Sequence, residues 1–112
     1  MKKFYHKKLI RDKILEIIKT NNDKYELRVM EGDEFKKELK KKLIEEAKEV
    51  KEAKGSELIK ELADVLELIK SIAENENISF KLIEEKQKQR KKERGGFKKR
   101  LFLIWSDKSA GK

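Results

Sequence analysis

Cysteine is absent from the 112 residues. Disulfides and thiolate metal sites are therefore excluded, and a reducing, cytoplasmic setting is expected. Long apolar runs are missing too. The longest, Leu101 to Trp105, is far too short to cross a bilayer. No apolar segment follows the first lysines, so neither a signal peptide nor a membrane partner is expected. The single histidine, His6, lies among lysines and reads as a surface residue.

What is present is charge. Charged residues make up 47% of the chain, with a formal net charge of +9. Lysine and arginine concentrate at the two ends, from Lys2 to Lys13 and from Lys86 to Arg100, while the middle is closer to balanced and rich in glutamate. A basic chain attracts polyanions such as nucleic acid or phosphate-bearing substrates. The run KQKQRKKER, residues 86–94, suggests a small nucleic-acid-binding helical protein as an alternative function. That reading leaves the placement of the acidic residues unexplained, so nucleic acid is the disfavoured partner.

The length suits one domain, expected over residues 1–105 with a disordered tail over 106–112. Apolar spacing predicts a short helix from Lys8 to Lys19, ended by the turn formers TNND. Tyr25 to Met30 alternates as a strand does. Gly32-Asp33 opens a long helix running to about Lys54, with Gly55 as its C′ residue and Ser56 as the next N-cap. A second long helix spans Glu57 to Asn75, NENIS breaks it, and Phe80 to Glu93 forms a polar third. Gly95-Gly96 is a turn, and Arg100 to Trp105 reads as a short strand that would pair with Tyr25 to Met30. The fold class is thus mainly α, built on an antiparallel helix hairpin, with a small two-stranded β element.

Two glutamates break the apolar stripes of that hairpin. On a wheel of about 100° per residue, Leu39, Leu43, Val50 and Ala53 surround Glu46, with Glu49 at the edge. In the next helix Val65, Leu68 and Ile72 surround Glu61, with Asp64 at the edge. Gly55 lies midway between Glu49 and Glu61, and midway between Glu46 and Asp64. Each pair is therefore expected at one height, and four carboxylates converge. Two like charges 4 Å apart repel by ~4 kcal/mol at an effective dielectric near 20. Such a group must protonate, pair with lysine or arginine, or hold cations. Oxygen ligands without His or Cys suit hard ions, so Mg²⁺ is the expected cofactor, with Mn²⁺ as substitute. Glu45 and Glu67 point away from the four.

EEAKE (Glu45 to Glu49) followed by ELAD (Glu61 to Asp64) resembles the E-E-x-x-E … E-x-x-D signature of the MazG-like, all-α nucleoside triphosphate pyrophosphohydrolases, a superfamily that includes phosphoribosyl-ATP pyrophosphohydrolase and dimeric dUTPases. YHKKLIRDKILEII and ERGGFKKRLFLIW resemble the two ends of a small subfamily, so the likeness spans about residues 4–105. Leu15 stands where that subfamily has proline. The resemblance implies Mg²⁺-dependent hydrolysis of a nucleotide between the α and β phosphates, with water as nucleophile. It carries the metal-binding and catalytic roles to Glu46, Glu49, Glu61 and Asp64. Basic residues near the ends, Arg11, Lys13, Arg94 and Lys98, are candidate phosphate contacts, with Asp12 orienting Arg11.

Apolar residues cover a wide arc of the Glu57 to Asn75 helix, from Leu58 and Ile59 through Leu62 and Leu66 to Ile72. One helical partner cannot cover such an arc. A homodimer or homotetramer is expected, and the resemblance implies dimeric helical bundles.

Overall fold

The computed structural model describes residues 2–109. They form α1 (Asp12–Thr20), α2 (Gly32–Glu52), α3 (Ser56–Asn75) and α4 (Phe80–Arg94). The chain divides into two units, Met1–Ile78 and Ser79–Lys112.

In the first unit α2 packs on α3. The two helices run in opposite directions, because Lys36 near the start of α2 pairs with Glu76 just past the end of α3 at 2.8 Å. Their contact follows from spacing. On α2, residues 39, 43, 46 and 50 recur at steps of four and three, and none is exposed. On α3, residues 58, 61, 65, 68 and 72 recur at steps of three and four, again none exposed. These are the steps of a helix-pair seam. Leu39, Leu68 and Ala73 are its most buried residues. Glu46 and Glu61 sit at seam positions that aliphatic residues occupy elsewhere.

A second stripe on α3 has no such cover. Ile59, Leu62 and Leu66, also spaced three and four apart, are 72%, 51% and 44% exposed.

The helix ends follow local chemistry. Asn22 and Asn77 both adopt left-handed φ, +57° and +56°. Just beyond them, the Asp23 and Ile78 N–H groups donate to the Ile18 and Ala73 carbonyls at 3.2 and 2.8 Å, closing the last turns of α1 and α3. The acidic first turn of α2 suits the helix dipole. Glu34 there accepts two bonds from Arg28, 2.5 and 2.6 Å long.

Several expectations need correction. Among the described residues there is no strand. Tyr25–Met30 lacks a hydrogen-bonded ladder, and the other expected strand is broken at its start, where Arg100 turns at φ +57° and donates its N–H to Phe97. The first helix begins at Asp12 rather than Lys8, leaving Leu9 and Ile10 half-buried ahead of it. The second ends at Glu52, because Ala53 is already extended. Gly55, at φ +57°, precedes α3 as its N-cap rather than closing α2, and Ser56 is helical.

In the second unit α4 has no buried residue. Gly95 ends it at φ +81°, with its N–H on the Lys91 carbonyl at 2.7 Å. The segment beyond is exposed, including Phe102 and Trp105. The tail expected over residues 106–112 is described only as far as Ser109; residues 110–112 lie outside the described residues.

Candidate metal centre

The α2–α3 seam brings three carboxylates together. One oxygen from each of Glu46, Glu61 and Asp64 can be chosen so that all three lie within 4.8 Å of one another. All three residues are half-buried. Glu46 and Glu61 reach this point because they are seam residues. Asp64 reaches it from the next turn of α3, on the side of the seam.

Glu46 bears most of the strain. Its Oε2 atom is buried and has no hydrogen-bond partner. Burial holds its carboxyl above the ordinary glutamate value; contact with Glu61 and the negative charges of Asp64 and Glu61 add to the shift. Lys42, one helical turn earlier, opposes it weakly.

Asp64 has a different neighbour. Arg11 Nη2 donates to Asp64 Oδ1 at 3.0 Å, across 53 positions of sequence. Arg11 is the N-cap of α1, in extended conformation, and its carbonyl accepts the Ile14 N–H at 3.0 Å. A salt bridge from Arg11 to the acidic helices is the sequence's alternative to a phosphate contact; its particular partner, Asp64, depends on where the chain ahead of α1 lies and is not shown by helix spacing.

Glu49 is exposed and outside the trio. Lys13 is exposed on α1. Arg94, the last residue of α4, and Lys98 lie in the second unit, where both are exposed. Glu45 is exposed, as expected of a residue pointing away, and the exposed Glu67 accepts a 3.4 Å bond from Ser71 on its own helix.

Chemically, the trio offers closely spaced hard oxygen donors, one of them buried and unsatisfied. That donor set fits a hard divalent cation such as Mg²⁺ or Mn²⁺. No family model, curated protein or solved structure matches the chain. No helix among the described residues is long and apolar enough to cross a membrane.

Proposed function

We propose that the protein is a Mg²⁺-dependent nucleotide pyrophosphohydrolase, a hydrolase that splits a nucleoside triphosphate or related nucleotide between the α and β phosphates. The products are a nucleoside monophosphate and pyrophosphate, and water is the nucleophile. The observation that carries this reading is the unpartnered, buried Glu46 Oε2 beside Glu61 and Asp64. A helix seam selects against carboxylates unless something offsets their charge. The order of acidic residues, E-E-x-x-E then E-x-x-D, supports the reaction class by resemblance.

In this reading Glu46, Glu61 and Asp64 hold the cation, with Glu49 as a fourth acid that must swing inward to join them. When bound, Mg²⁺ offsets the charge of the triphosphate and acidifies a water. The carboxylates fix where the triphosphate can sit, and one left free of the cation accepts the proton of the attacking water. Arg11 and Lys13, in the same unit as the carboxylates, are the candidate phosphate contacts. The exposed stripe Ile59, Leu62 and Leu66 supports a homo-oligomer, dimer or tetramer, in which the hairpin joins a larger helical bundle. The absence of cysteine suits a cytoplasmic protein.

A panel of nucleotides scored for pyrophosphate release tests the reading. Release is expected with Mg²⁺ or Mn²⁺ and not in excess chelator. Turnover in chelator, or no release from any nucleotide, overturns it. The competing reading, a non-catalytic nucleic-acid binder, draws support from the exposed basic residues of α4 between Lys86 and Arg94. It predicts binding that needs no divalent ion and weakens steeply with salt.

A further inference from the structure

Arg11 and a divalent cation would compete for the same carboxylate. Arg11 donates to Asp64 Oδ1 at 3.0 Å, and Asp64 supplies one of the three oxygens that cluster within 4.8 Å. This ion pair ties the N-cap of α1 to α3, and a second N-terminal pair, Arg28–Glu34, lies at the start of α2. The Arg11 side chain is 58% exposed. Exposed single pairs are weak, whereas a divalent ion binds carboxylate oxygens with twice the charge.

We infer that Arg11 is an exchangeable latch: it neutralises Asp64 while the cation is absent, is displaced when the cation binds, and is then free to meet the substrate's phosphates. This rests on the cation site proposed above. The exchange makes physical sense at both ends. Without the cation, three carboxylates converge and one guanidinium lowers their repulsion. With it, a positive side chain beside the metal would oppose the ion, and the same group serves better on an anionic triphosphate. No covalent step is involved. One ion pair breaks, and a divalent ion takes the freed carboxylate.

The latch predicts opposite effects of one substitution on two ligands. Arg11→Gln removes the competing charge, so Mn²⁺ alone, followed by the electron-resonance signal of the free ion, should bind about three- to fivefold more tightly than to the wild type. The same variant should bind a triphosphate with a methylene group in place of the α–β bridging oxygen about tenfold more weakly, with Mn²⁺ saturating. Arg11→Lys should fall between wild type and Arg11→Gln in both assays. A structural role alone would weaken both ligands together. Equal or weaker Mn²⁺ binding by Arg11→Gln overturns the latch while leaving the cation site standing. Absence of Mn²⁺ binding by the wild type overturns both. Circular dichroism at the assay temperature confirms that the variants compared are folded.

Discussion

Glu46 and Glu61 meet across the α2–α3 seam, with oxygens no more than 4.8 Å apart where aliphatic side chains would interdigitate. The seam puts them there, since each lies at the step of three or four residues that the neighbouring aliphatics define. Their mutual repulsion is therefore a property of the folded state, and it should be visible in the protein's response to pH.

The folded protein holds the Glu46 proton more tightly than the unfolded chain does, since its carboxyl is raised above the ordinary value. The group thus adds stability below the ordinary glutamate range, and that contribution is lost as pH rises through the raised value. In cation-free buffer, Glu46→Gln should match wild type near pH 4 and melt about 2–4 °C higher near pH 7. Thermal scans across that interval measure it. A difference that shrinks as pH rises would contradict the geometry.

Glu61→Gln and Asp64→Asn should each lower Mg²⁺-dependent pyrophosphate release by at least about 100-fold without lowering the cation-free melting point. Glu49→Gln should have a milder effect, about tenfold, because Glu49 starts outside the trio. Steady-state release at several Mg²⁺ concentrations separates a loss of ion affinity from a loss of rate.

How much of this was readable beforehand can be judged from the acids themselves. Glu46 and Glu61 were legible because their aliphatic neighbours mark the buried side of each helix. Asp64 followed from its position three residues on. Glu49 was placed by treating Gly55 as the midpoint of the turn. Of the two pairs that this symmetry makes, Glu46 and Asp64 do come together, whereas Glu49 stays outside the trio that Glu61 joins. The β element failed for another reason. Alternation marks a segment able to form a strand, but a strand exists only with a ladder partner, and single-sequence patterning does not show pairing. The Arg11–Asp64 bridge is tertiary in the same sense.

Leu39→Ala and Leu68→Ala should each destabilise the protein by about 2–4 kcal/mol, as expected for a leucine removed from a packed interior. Leu101, which is 85% exposed, should tolerate alanine within about 0.5 kcal/mol in the isolated chain. Denaturant titration at low protein concentration tests both; a large loss at Leu101 would show that it is covered in solution.

Ile59→Lys and Leu62→Glu should shift a homo-oligomer toward monomer by at least about tenfold in dissociation constant, since a charge placed in an apolar interface is left unpaired. Analytical ultracentrifugation over a range of concentrations provides the check. An unchanged sedimentation profile would mean that this stripe is not where copies meet.

The two glutamates in the seam also set a limit on how this protein can be improved. Leucine at position 46 or 61 would knit the hairpin together more firmly, and a search guided by heat resistance alone would be drawn to those substitutions. Each would remove an oxygen donor. Under the proposed cation site, hardiness and ion capture are thus opposed at the same two positions.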